Sequence, residues 1–152
     1  MFTDADLAYG TDVIKRVYDM LSEADANMLI GSRNLSKDGY EGYTALRKLM
    51  SKIYIKVLCM AGGFKLSDSQ CGFKAFDGEM GRKIFSYCTT DNFAFDLEVI
   101  LIAQKLKLKI FEMPAMIVNH RDSKISILKD APKMVREILQ IKKRVKKLNL
   151  SR

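Results

Sequence analysis

The sequence predicts an α/β fold, and three observations carry that prediction. Short apolar runs at residues 27–30, 71–76 and 109–119 alternate with longer segments of helical spacing. The 152 residues are 48% apolar and 29% charged, a balance that suits a folded domain with a real core. The order of these elements reads as the later half of an open α/β sheet, without the strands that normally come first.

The opening Met1-Phe2-Thr3 reads as the end of a strand. Residues 11–24 place Val13, Val17, Met20 and Leu21 on one helical face, with Thr11 as the N-cap. Residues 27–30 form a strand running into Gly31-Ser32-Arg33, and residues 34–42 are a polar loop. A long helix over 43–60 is stopped by Gly62-Gly63. A strand over 71–76 follows, and Asp77 caps a short helix that ends at Tyr87. Residues 93–106 are apolar on most faces and predict a buried helix. Pro114 gives the strand at 109–119 an edge position or a bulge. Residues 120–127 read as a polar turn or short strand, and Pro132 marks the start of the last helix.

The net charge is +8, and the stretch from Lys133 to Arg152 carries almost all of it, with eight basic residues and one acid. Such a tail favours an anionic partner. Within it Ile138, Ile141, Val145 and Leu148 follow helical spacing. A basic amphipathic helix of that kind either lies on an anionic bilayer or packs on the domain with its basic face in water. Cys59, Cys71 and Cys88 lack zinc-type spacing and read as free thiols of a reducing compartment. No apolar run reaches the length of a membrane span, and no signal peptide is recognisable. Nucleic acid is a poor fit, because no basic stripe lies outside the tail.

Several side chains are candidates for chemistry. Asp4 and Asp6 stand at i and i+2, so on a strand both point to one side and can reach one divalent cation. The alternative is an acidic pair in a turn or cap. Arg33 follows an apolar strand and suits phosphate, unless it is an ordinary solvated arginine. Arg47 and Ser51 share a helix face beside Lys48 and Lys52, as a phosphate pocket or as a plain amphipathic helix. Asp68, Gln70 and Lys74 form the densest polar cluster, at a loop-to-strand junction. Asp96 and Glu98 stand in an otherwise apolar helix, so they face a site, face a buried partner, or mark its wet end. His120, Arg121 and Lys124 end the last strand, where the cations can clamp an anion.

Taken in order, these segments resemble the family 2 glycosyltransferases of GT-A fold. More narrowly they resemble its polyprenyl-phosphate hexose transferases, the dolichyl-phosphate glucosyl- and mannosyltransferases. The matching segments are Phe2-Thr3-Asp4-Ala5-Asp6, Gly31-Ser32-Arg33, Arg47 with Ser51, Asp68 to Phe76, Phe93 to Glu98, and Ser123-Lys124. The runs Gln70 to Lys74 and Phe93 to Glu98 are most similar to the glucosyl type. Some mannose synthases carry Gln two residues after the second aspartate, where this chain has Ala8.

The resemblance implies a Rossmann-like nucleotide-diphospho-sugar transferase domain over residues 1–127, lacking its N-terminal nucleotide-binding half. Residues 128–152 would be a basic amphipathic C-terminal helix. Asp4 and Asp6 would be the DxD pair, holding Mg²⁺ or Mn²⁺ and the sugar nucleotide, with Asp6 and Asp68 catalytic. Arg33, Arg47, Ser51, Gln70, Lys74, Arg121 and Lys124 would bind substrate. The expected partners are UDP-glucose or GDP-mannose, a polyprenyl phosphate, and the cytoplasmic membrane face touched through residues 133–152. A partner chain would supply the nucleotide-binding half. A non-catalytic module binding anionic surfaces is the alternative.

Overall fold

A computed structural model of the chain describes residues 1–3, 9, 13–117 and 127–149. Its four strands are β1 (Phe2–Thr3), β2 (Met28–Ser32), β3 (Phe73–Phe76) and β4 (Ile110–Pro114). Its five helices are α1 (Val13–Glu23), α2 (Ala45–Gly62), α3 (Gly78–Tyr87), α4 (Phe95–Lys105) and α5 (Ile127–Lys147). The α/β expectation is met. The strands form one mixed sheet in the order β1-β3-β2-β4, with β2 parallel to β4 and antiparallel to β3.

The sheet buries both faces, and strand alternation sorts the side chains between them. Met28, Ile30 and Phe76 enter the larger core, with α2, α4 and α5. Leu29, Phe73, Ala75 and Met113 enter the smaller one, which Val13 and Val17 of α1 cover. Both faces being covered explains why β2 reads as a continuous apolar run rather than an alternating one.

The element ends have local causes. Thr44 accepts a bond from Arg47 N and starts α2. Gly63, at φ 81, closes α2 in the left-handed conformation that glycine adopts without strain. Asp77 accepts from Glu79 N and Met80 N, the cap expected for α3. Pro114 lies in β4, which has β2 as its one strand neighbour among the described residues, so the edge reading holds. The last helix begins at Ile127, earlier than Pro132 suggested, and takes in that proline. The expected Thr11 cap and the turn or strand at 120–126 lie outside the described residues.

Helix α5 spends its apolar stripe on the domain. Met134, Ile138, Ile141 and Val145 are buried in the larger core against α2 and α4. Of the two sequence readings of this tail, the structure takes the packed helix with a solvated basic face. Buried Glu98 of α4 reinforces the contact. Its carboxylate accepts from Thr89 N and Thr90 N and pairs with Arg144 of α5. Glu98 is thus a support of the fold. Replacing it with alanine strands two backbone donors and a cation, so Glu98→Ala is expected to cost about 3 kcal/mol in urea unfolding. An unchanged unfolding midpoint would contradict this role.

Candidate functional site

The candidate site forms where β2 and β4 end side by side. In open α/β sheets ligands gather at the carboxyl ends of parallel strands. Here three segments converge: the 3₁₀ turn Arg33–Leu35 after β2, the loop 66–70, and the end of β4. Asp68 is fully buried, and both its oxygens face Arg33. Arg33 Nε donates to Oδ2 at 2.6 Å and Nη2 to Oδ1 at 2.9 Å. The Arg33 backbone N–H adds a bond to Oδ2 at 3.2 Å. Burial works against the Arg33 charge, but the hydrogen bonds and charge of Asp68 outweigh it and hold the guanidinium above its ordinary pKa.

Glu112 of β4 anchors the same loop from the other side. Its carboxylate accepts from Ser67 N at 2.9 Å, Ser67 Oγ at 2.7 Å and Asp68 N at 3.1 Å. Ser32 Oγ meets Ser67 Oγ at 2.5 Å, and Asn34 Nδ2 donates to Ser67 O at 2.6 Å. The loop is held to both parallel strands by side chains rather than by a sheet ladder.

On the outer side Arg33 faces Tyr40, with its guanidinium carbon 5.5 Å from the ring centroid. Lys48 and Lys52 of α2 bring their ammonium groups to 5.6 and 5.9 Å from the same ring. Tyr43 packs edge-on against Tyr40, and Arg47 lies 4.2 Å from the Tyr43 centroid. Ser51 lies beside the Tyr40 hydroxyl. Four cations thus meet two tyrosines, an arrangement that suits a phosphate group. Gly39 lets the loop close over this point, because a Cβ there would lie 2.1 Å from Arg33 O.

The structure therefore gathers Arg33, Arg47, Ser51 and Asp68, with Gln70 beside them through its N–H to Asp68 Oδ1 at 3.3 Å. Two expected roles change. Asp68 has both oxygens taken within the protein, so it positions Arg33 and is not poised as a catalytic group. Lys74 is fully buried on the core face of β3, where it donates to Asp96 Oδ1 at 2.7 Å and Cys71 O at 2.8 Å. Strand alternation sends Lys74 inward with Phe76, so it neutralises Asp96 instead of meeting substrate. Asp4, Asp6, Arg121 and Lys124 lie outside the described residues. Sequence reasoning missed Tyr40 and Glu112. A tyrosine between glycines in a loop and an acid within an apolar strand were the available signals.

Among the described residues, no three acidic, histidine or cysteine side chains gather as metal ligands. The carboxylates of Asp68 and Glu112 are already engaged within the protein.

Comparison with known proteins agrees with the resemblance. The chain is 30% identical over 150 residues to a dolichyl-phosphate beta-glucosyltransferase of Dictyostelium discoideum, covering 93% of this chain and 45% of the relative. The chain is a homologue of the dolichyl-phosphate beta-glucosyltransferases. The Saccharomyces cerevisiae protein of that name is 25% identical over 154 residues, 93% of this chain and 46% of its own length. One from Trichomonas vaginalis is 29% identical over 146 residues, 93% of this chain and 43% of the relative. The chain spans about half the length of the curated relatives it matches. No family model matches it, and no solved structure does.

The thiols give a test of this packing. Burial pushes the Cys71 thiol up from 9.0 to about 11. The unfolded thiol therefore ionises first. The stability contributed by burying the neutral thiol is complete below pH 9.0 and is lost as pH rises through about 11. The urea midpoint should fall across that window, and less steeply in Cys71→Ala. Equal slopes in the two proteins would count against the buried thiol.

Proposed function

We propose that the chain is the C-terminal portion of a GT-A nucleotide-diphospho-sugar transferase domain, over residues 1–127, followed by the basic helix of 128–152. Its reaction is transfer of glucose from UDP-glucose to a polyprenyl phosphate at the cytoplasmic membrane face. GDP-mannose is the second donor to test. The reading is supported most by the cluster of Arg33, Lys48 and Lys52 around Tyr40 at the strand ends, in a homologue of glucosyltransferases that act on a lipid phosphate.

The chemistry asks little of a general base. A phosphate monoester has a second pKa of about 6, so the acceptor is already anionic at neutral pH. One of its oxygens attacks the anomeric carbon, and the bond from that carbon to the nucleoside diphosphate breaks. The electron pair leaves with the diphosphate, and the configuration inverts. The chain's part is alignment and charge. Arg33, locked by Asp68, and the α2 cations hold phosphate oxygens and oppose their charge. Asp6 and Asp4 would hold Mg²⁺ or Mn²⁺, which when bound offsets the charge of the leaving diphosphate. The nucleotide-binding half would come from outside these residues.

The test is transfer of labelled glucose to polyprenyl phosphate by the chain together with that half. Arg33→Lys, which loses the bidentate geometry, is expected to lower kcat/KM by about a hundredfold. Asp4→Asn with Asp6→Asn should abolish metal-dependent donor binding. Donor binding indifferent to these changes, or no transfer by the complemented protein, would leave the non-catalytic module as the better reading.

A further inference from the structure

Tyr40 carries a group that the fold leaves unused. The residue is 6% exposed, and its Oη is buried without a hydrogen-bond partner. Among the described residues two other buried side-chain atoms share that condition, Thr3 Oγ1 and Arg144 Nε, and neither belongs to the cluster at the strand ends. A buried hydroxyl left unpaired costs stability. Phenylalanine would keep the ring's other contacts, edge-on with Tyr43 and facing Arg33, Lys48 and Lys52. The ring therefore does not explain the hydroxyl. The loop nevertheless holds it in place by backbone bonds. Tyr40 O accepts from Tyr43 N at 3.1 Å, and Asp38 O accepts from Glu41 N at 3.0 Å. Gly39 lies too close to Arg33 O for any side chain, and Gly42 takes φ 72.

The surroundings of the hydroxyl select its ligand. Ser51, partly buried on α2, and Asn34 stand beside it, and Asn34 already spends its amide N–H on Ser67 O. Residues 43–67 contain five basic residues and no acid. Asp68, whose charge also reaches Tyr40, is committed to Arg33. Burial, and then the Asp68 charge, hold the phenol above its ordinary pKa, so at neutral pH it is a donor. A set of donors and cations without a free acid calls for an anion rich in acceptors. A phosphate monoester offers three terminal oxygens and close to two charges, where a carboxylate offers two oxygens and one charge. We infer that Tyr40 is a substrate-binding residue, its hydroxyl donating to a terminal oxygen of the acceptor's phosphate beside Ser51, Arg33 and the α2 lysines. Lys48 and Lys52 are exposed on flexible stems, so they can move aside from the ring as the phosphate enters. The inference deepens the proposed function and rests on its phosphate acceptor.

The experiment is calorimetric titration of the purified chain and of Tyr40→Phe with farnesyl phosphate, kept below the concentration at which it forms micelles. Urea unfolding of both proteins without ligand accompanies it. Tyr40→Phe should bind farnesyl phosphate at least about tenfold more weakly, the loss of one hydrogen bond to a charged group. Inorganic phosphate should compete with farnesyl phosphate and lose affinity by a similar factor, because the phosphate is the part read. The urea midpoint of Tyr40→Phe should equal or exceed that of the parent, since the change removes an unpaired hydroxyl and keeps the ring. Equal affinity of the two proteins for farnesyl phosphate would overturn the inference. A lowered midpoint in Tyr40→Phe would also overturn it, making the hydroxyl a support of the fold. So would a loss confined to UDP, which would give the hydroxyl to the donor, and so would a parent chain that binds neither phosphate. Because these titrations involve no transfer, a failed glucosyl transfer and a failed contact by Tyr40 are read separately.

Discussion

The buried pair of Arg33 and Asp68 is the interaction on which the site depends. Loop 66–70 has no ladder to hold it, and the carboxylate at its centre is fully buried. A buried carboxylate without a partner is costly, so its position is fixed by whatever neutralises it. Arg33 does so with two side-chain bonds and a backbone bond, which orients its guanidinium toward Tyr40 and α2. Glu112 fixes the loop from β4. The two parallel strands and the loop thus become one rigid edge, and an arginine held this way loses less freedom when it meets an anion.

The same rule governs the other buried charges. Lys74 and Asp96 join β3 to the start of α4, and Glu98 with Arg144 joins α4 to α5. Three ion pairs therefore mark three junctions of the fold. The first leaves its cation beside a basic cluster, whereas Lys74 is sealed within the core. Position relative to the strand ends separates a site residue from a structural one.

The two amphipathic helices show how burial redirects function. Both α2 and α5 carry lysines and an apolar stripe. The stripe of α5 packs on α2 and α4, while α2 buries a different face and leaves its stripe in water. Among the described residues no helix is long and apolar enough to cross a membrane.

The sequence by itself determined the alternation of elements, the Asp77 cap, the glycine stop after α2, the edge place of the Pro114 strand and the resemblance to glucosyltransferases. Each depends on neighbours within a few residues or on the order of short segments. It also singled out Arg33, Arg47, Ser51, Asp68 and Gln70. What it left open was which charges meet. Lys74 and Arg33 both follow glycine-containing runs, and only strand alternation and packing send one to Asp96 and the other to Tyr40. Glu98 became a support because Arg144 approaches from 46 residues away. Tertiary structure decided these roles because burying a charge requires a partner, and the partner comes from wherever the sheet and helices bring one.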